Sequence, residues 1–305
     1  MQSSYLLING LRVHYLHWNL EGDGQPVILL HGLADNARLW ELVAPHLVER
    51  GLVLLAPDLR GHGLTDKPDG EYSFDIFCSD LLAFIEACNL ERPFLAGHAW
   101  GADLALDYAA RFSFGPRAPS GLVLVDGGMV QLDEVPTDSA TAAWEQERQP
   151  LAPTLLSGIS LPDFMKWLAE SQPHWKLDDR SVPILLANFE IGEDETLTPR
   201  LSYEHHLQIL RQQSEFKTFA RFERLRCPVQ MVAARPPEPL TNADRDSLLL
   251  KKQGIALAEE KINHINTYWM VDTSHNIPLQ RPAELAALIA EFTAAVTSSS
   301  SSRPG

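Results

Sequence analysis

Two glycines four residues apart bracket the segment Gly97-His98-Ala99-Trp100-Gly101, which follows the apolar run Phe94 to Ala96 and precedes a helical stretch. A sharp strand-to-helix turn holds its central residue in a strained conformation with the side chain lifted above the sheet. Small residues on either side let strand and helix approach. The spacing is that of G-x-S-x-G, in which a serine oxygen is presented for attack on a carbonyl carbon. Position 99, however, is alanine. A methyl group has no lone pair, so the chemistry that the spacing suits lacks its attacking atom. Glycines four apart are common, and the motif acquires meaning only from the elements around it.

Those elements can be read along the chain. Tyr5 to Ile8 and Leu11 to Trp18 alternate in polarity around Asn9-Gly10, a dipeptide suited to a tight turn, and predict an antiparallel hairpin. Short continuous apolar runs follow at Val27 to Leu30, Leu52 to Ala56, Phe94 to Ala96, Leu122 to Val125, Val229 to Ala234 and Thr267 to Val271. Their length suits strands buried on both faces. Helical spacing lies between them at Leu39 to Leu47, Phe74 to Cys88, Ala102 to Ala110, around Arg245 to Lys252, and from Pro282 to Val296. The alternation predicts an α/β protein with a doubly wound, mostly parallel sheet of eight strands.

Between about Gly128 and Phe222 the alternation stops. Aromatic residues (Trp144, Phe164, Trp167, Trp175, Phe189, Tyr203) are interspersed with prolines and no strand signal is evident, which reads as an inserted helical cap. The expected organisation is therefore a core of residues 1–127 and 223–296, a cap of 128–222, and a serine-rich disordered tail of 297–305.

Composition narrows the function classes. The 305 residues are 45% hydrophobic, enough for a large core, and 25 Lys plus Arg against 40 Asp plus Glu give a net charge of -15. That charge repels nucleic-acid phosphates and anionic lipid surfaces. Cys78, Cys88 and Cys227 are too scattered for a disulfide framework or a zinc site. No apolar run approaches the roughly 18 residues that span a bilayer. A cytoplasmic location, with no nucleic-acid or membrane partner and no metal or cofactor, is the expectation.

The motifs fall in a telling order. His31-Gly32-Leu33 follows the first parallel strand, Asp58-Leu59-Arg60-Gly61-His62-Gly63 the next, then come the elbow, Asp126 after the following strand, the insertion, and Ser274-His275-Asn276 after the last strand. In this the chain resembles the α/β-hydrolase family, from the hairpin to the final helix, and G-H-S-W-G is a familiar version of the elbow in its serine branch. The resemblance implies a catalytic triad with its nucleophile at position 99, His275 as base, and backbone N–H groups of Leu33 and Trp100 as the oxyanion hole. It implies structural roles for His31 and His98, which shape the turns beside the site.

The acid stays open between two residues. The commoner family arrangement places it after the strand Val229 to Ala234, where Arg235-Pro236-Pro237-Glu238-Pro239 offers only Glu238. Some branches supply it from the position of Asp126, which is preferred here over Glu238. Asp272 is close to His275 in sequence but constrained by the strand end. The adjacent pair His205-His206 reads as solvated.

Trp40, Trp100, Trp144, Phe164 and Trp167 are candidates to line an apolar substrate pocket. The implied activity is hydrolysis of apolar carboxylic esters or lactones through an acyl-enzyme. With Ala99 the chain is expected to bind substrate and scarcely turn it over, since removing a triad nucleophile costs on the order of 10⁶ in turnover. Retention of the histidine, the carboxylates and both glycines favours substitution of a serine in an active parent over natural loss of catalysis. Other readings are a non-catalytic small-molecule binding protein or receptor, and C–C bond hydrolysis or another chemistry of the fold.

Overall fold

The computed structural model describes residues 1–131, 156–171 and 178–301. Its centre is an eight-stranded sheet in the order β1-β2-β4-β3-β5-β6-β9-β10. The strands are β1 (Gln2–Ile8), β2 (Leu11–Trp18), β3 (Pro26–Leu30), β4 (Val53–Pro57), β5 (Phe94–His98), β6 (Gly121–Val125), β9 (Val229–Arg235) and β10 (Ile265–Val271). Strand β1 pairs antiparallel with β2, and β2 antiparallel with β4, while β4 through β10 are parallel neighbours. At the first hairpin Asn9 and Gly10 both take positive φ, 49° and 74°, as the tight turn requires.

The parallel strands are buried on both faces because helices cover both. On one side α2 (Phe74–Ala87), α3 (Trp100–Arg111) and α8 (Asn242–Lys261) enclose a cluster containing Phe77, Phe84, Leu95, Trp100, Leu122 and Ile255. On the other, α1 (Ala44–Val48) and α10 (Pro282–Ser301), the latter through Ile289, cover Val27, Leu54, Val123 and Val232. Cap residues Leu156, Phe164, Leu185 and Phe189 join this second cluster, so core and cap share one apolar interior.

Three local expectations need correction. The segment Leu39 to Leu47 is not one helix but a short 3-10 turn, Ala37–Trp40, followed by α1. Pro45 lies at the start of α1, where its missing N–H is tolerated; in a continuous helix it would break a hydrogen bond. The cap is not purely helical: between α5 (Ser181–Leu186) and α6 (Tyr203–Ser214) it carries an antiparallel pair, β7 (Phe189–Ile191) with β8 (Leu197–Pro199). Three-residue strands are too short to leave a period-2 signature. Finally, α10 continues through Ser301, past the expected start of the disordered tail at 297. The hydroxyls of Thr297, Ser298 and Ser299 donate to the carbonyls of Thr293, Ala294 and Val296, so a hydroxyl-rich end extends a helix nucleated by its packed Ala-rich turns. Among the described residues, no helix is long and apolar enough to cross a membrane.

Candidate active site

Ala99, Asp126, His275 and the loop that carries Leu33 lie beyond the carboxyl ends of parallel strands, the side on which open α/β sheets bind ligands. At the end of β5, Ala99 has φ 52° and ψ -121°, a region that residues with a Cβ rarely enter. Two close approaches hold it there. A Cβ on Gly97 would lie 2.2 Å from the Gly101 carbonyl oxygen, and one on Gly101 would lie 2.4 Å from that of His31. Only glycine lets the strand, the helix and the neighbouring loop meet at these points. The alanine thus occupies a strained elbow whose conformation does not depend on having a nucleophile.

Beside it runs the loop after β3. His31 is fully buried; its Nδ1–H donates to the Gly32 carbonyl at 2.8 Å, and its Nε2 accepts from Leu59 N–H at 3.0 Å. This ties the loop to the segment after β4, where Asp58 accepts from Ala37 N–H and Leu64 N–H, both at 2.7 Å, and pairs with His14 at 2.7 Å. The loop passes so near the elbow that a Cβ on Gly32 would sit 3.4 Å from the Ala99 Cβ. Leu33 follows directly. Trp100 opens α3, and N–H groups of a helix's first turn have no acceptor within the helix. Both expected oxyanion donors therefore belong to backbone that flanks position 99.

After β6 the chain turns at Asp126, itself at φ 46°. Its N–H donates to Val232 O at 2.8 Å, and its Oδ1 accepts from Ala234 N–H at 2.9 Å, so the carboxylate is anchored to β9. Its Oδ2 lies 2.7 Å from Nδ1 of His275. The His275 loop is braced by Gln280, which accepts from Ser274 N–H and donates to Ser274 Oγ. His98 adds a further hold, its Nε2 donating to the His275 carbonyl at 2.9 Å. Glu238, the other carboxylate considered, does not share this setting. Its side chain is 65% exposed, accepts from Leu240 N–H and faces Arg235 at 3.5 Å. The cause is the proline-rich loop beyond β9, which turns out into solvent.

Burial by itself would raise the Asp126 carboxyl. The Lys251 ammonium and the His275 hydrogen bond outweigh that and hold it well below the usual carboxylate range. Lys251 was not singled out from the sequence. It is a helical lysine with no local pattern to distinguish it, yet its Nζ lies 2.9 Å from Asp126 Oδ1.

A second unanticipated group is Asp35, four residues from His31. Its Oδ2 is 4.0 Å from His98 Nδ1, and would be 3.0 Å from a Cβ on Gly32. Burial pushes this carboxyl up to about 7, opposed by a 3.4 Å contact from Asn188 of the cap. Asn188 also bonds to Asn36, joining the inserted segment to the loop after β3.

Trp40, Trp100 and Phe164 are fully buried within the two apolar clusters. Trp167 is partly buried, stacked on Phe164 at 6.0 Å. Trp144 lies outside the described residues. His205 and His206 are buried rather than solvated: His205 stacks on Tyr72 at 4.0 Å, and burial pulls His206 down to about 4. The cap folding onto the core covers both. Among the described residues, no group of three or more His, Cys, Asp or Glu side chains could hold a metal ion.

Comparison with known proteins agrees with this fold. The family model described as the alpha/beta hydrolase fold matches residues 25–282. Among curated proteins, an uncharacterised protein of Mycobacterium tuberculosis is 33% identical over 116 residues, 38% of this chain and 33% of its own. The soluble epoxide hydrolase of a Corynebacterium species is 33% identical over 103 residues, 34% of this chain and 35% of its own. The matches thus span about a third of the length of these curated relatives. Among solved structures, a serine-to-alanine form of a deformylase from Pseudomonas putida superposes with TM-score 0.69 at 22% identity, covering 94% of this chain and 100% of the other. An enol-lactonase from Burkholderia xenovorans gives 0.66 at 18% identity, covering 95% and 100%. At these identities the structural likeness speaks for the fold alone. The family model spans every strand from β3 to β10, together with the elbow, Asp126 and His275, and on that extent the chain belongs to the α/β-hydrolase fold family.

Proposed function

We propose that the site is that of a serine-type hydrolase of apolar carboxylic esters or lactones, with serine at position 99 in the active parent, and that the chain with Ala99 binds such substrates and scarcely turns them over. The observation that carries the reading is the 2.7 Å contact of His275 Nδ1 with Asp126 Oδ2, beside an elbow still strained at φ 52°. A carboxylate on Nδ1 fixes the tautomer that leaves Nε2 as the base, and stabilises the imidazolium that forms when it takes a proton.

In the parent, the serine oxygen attacks the carbonyl carbon as His275 removes its proton. The oxyanion is met by the N–H groups of Leu33 and Trp100, and His275 returns the proton to the departing alcohol. Water then repeats the sequence on the acyl-enzyme. The apolar cap residues that join the core support an apolar substrate. The free cysteines fit a reducing, cytoplasmic setting.

The test is Ala99→Ser, assayed on short p-nitrophenyl esters against the chain as it stands. The proposal expects a gain on the order of 10⁴-fold or more, with a burst of p-nitrophenol. No gain would overturn it in favour of a non-catalytic small-molecule binding protein, a reading that rests on Ala99 alone.

A further inference from the structure

Lys251 stands 125 residues along the chain from Asp126, and its ammonium contacts both carboxylate oxygens, Oδ1 at 2.9 Å and Oδ2 at 3.0 Å. It also donates to the Ala234 carbonyl at 3.3 Å, the residue whose N–H holds Asp126 Oδ1. The side chains of Lys251 and Asp126 are 8% and 1% exposed. A lysine buried to this degree is costly unless its charge is matched, so its placement calls for a cause and has a consequence.

The cause is a backbone contact. A Cβ on Gly254, three residues after Lys251, would lie 1.7 Å from the Met129 carbonyl oxygen. Helix α8 therefore touches the chain just after Asp126 with no side chain between them. Any other residue at 254 would push the helix outward and carry the ammonium away from the carboxylate. The helix start is set independently by a capping box, in which Thr241 and Asp244 bond each other's backbone N–H groups.

The consequence concerns His275. Its partner oxygen, Oδ2, is one that Lys251 also holds. An ion pair of Asp126 with Lys251 shares the negative charge that would otherwise act on the imidazole alone. We propose that Lys251 is a positioning residue for the His275–Asp126 pair: it clamps both carboxylate oxygens and makes His275 a weaker base than Asp126 alone would. This rests on the roles proposed above for His275 and Asp126.

Other charged or titratable groups face the pair. The His98 ring is tilted by 39° against that of His275 with centroids 4.8 Å apart, and Asp35 lies 4.0 Å from His98. Asp103, held by Gly128 N–H and Gln213, lines a small cavity together with Asp126 and Lys251. All of these groups are retained in a Lys251 variant, so the charge removed is that of the lysine alone.

The experiment is an NMR titration of the His275 ring, assigned with His275→Gln, in the chain as it stands and in Lys251→Met. The His275 midpoint is expected to rise by about one pH unit, a tenfold gain in proton affinity. In the Ala99→Ser background, the acid limb of kcat/KM should move the same way. A folded variant whose midpoint moves by less than about 0.3 unit overturns the proposal, since a merely structural lysine would lower Tm and leave the titration in place. Should the methionine variant not fold, Lys251→Gln keeps a donor without the charge and must shift the midpoint likewise. Should neither fold, the Lys251 side-chain nitrogen signal of the unaltered chain must inflect at the His275 midpoint, and a flat signal overturns the proposal. If Ala99→Ser gains no esterase activity while the His275 midpoint still shifts, the function has failed and the coupling stands.

Discussion

Asp126 and His275 are separated by 149 residues and meet at 2.7 Å, the carboxylate coming from the end of β6 and the imidazole from the loop after β10. Strand β9 lies between those two strands in the sheet, and the turn at Asp126 hydrogen-bonds across to Val232 and Ala234 of β9. The carboxylate thereby reaches over the intervening strand. In the Ala99→Ser background, Asp126→Asn should lower kcat on p-nitrophenyl butyrate by on the order of 10⁴, the cost of presenting the wrong tautomer. Glu238→Gln should leave kcat as it was, and steady-state kinetics of the two variants side by side checks both.

Asp35 gives the fold a pH dependence with a definite sign. Its carboxyl is pushed up to about 7 in the folded chain, so between the ordinary carboxylate range and pH 7 the folded state holds a proton that the unfolded state has lost. Its contribution is fully present in acid and falls as pH rises to 7, by roughly 1.4 kcal/mol per pH unit at most. Asp35→Asn removes that loss. Urea unfolding from pH 4 to 8 should show a stability gain for the variant that grows up to pH 7 and then levels. A gain independent of pH would rule this out.

Ala99 carries backbone strain. A Cβ at φ 52° and ψ -121° costs on the order of 1–3 kcal/mol, whereas the extra freedom that glycine gives the unfolded chain costs about 0.4–1 kcal/mol. The first effect is the larger. Ala99→Gly should therefore stabilise the chain by about 1 kcal/mol, seen as a raised Tm.

Gly254→Ala pits helix propensity against packing. In an exposed helix the change would stabilise by about 1 kcal/mol. Here the new Cβ would fall 1.7 Å from a backbone oxygen that cannot rotate away. Overpacking of this kind costs about 1–3 kcal/mol, so the net effect should be destabilising. Thermal unfolding measures it, and a rise in Tm would contradict the close approach of α8.

Much of this molecule was readable in its sequence because the signals were local. All eight sheet strands fall where apolar runs or alternation place them, and Gly97 and Gly101 mark the elbow by their spacing. The preference for Asp126 over Glu238 could be ordered from the sequence, but the relation to His275 is a distance across 149 residues. Lys251 left no trace at all, since on its own helix it is an ordinary lysine; Gly254 and the Met129 carbonyl turn it toward Asp126. His205 and His206 misled for the same reason, as the sequence does not tell which surface covers a ring. The sequence by itself determined the order of strands and helices and the methyl side chain at position 99 of the elbow, because backbone preference and side-chain chemistry are properties of short segments. Only the tertiary structure decided which charges share the site, because burial and electrostatic pairing depend on which distant segments pack together.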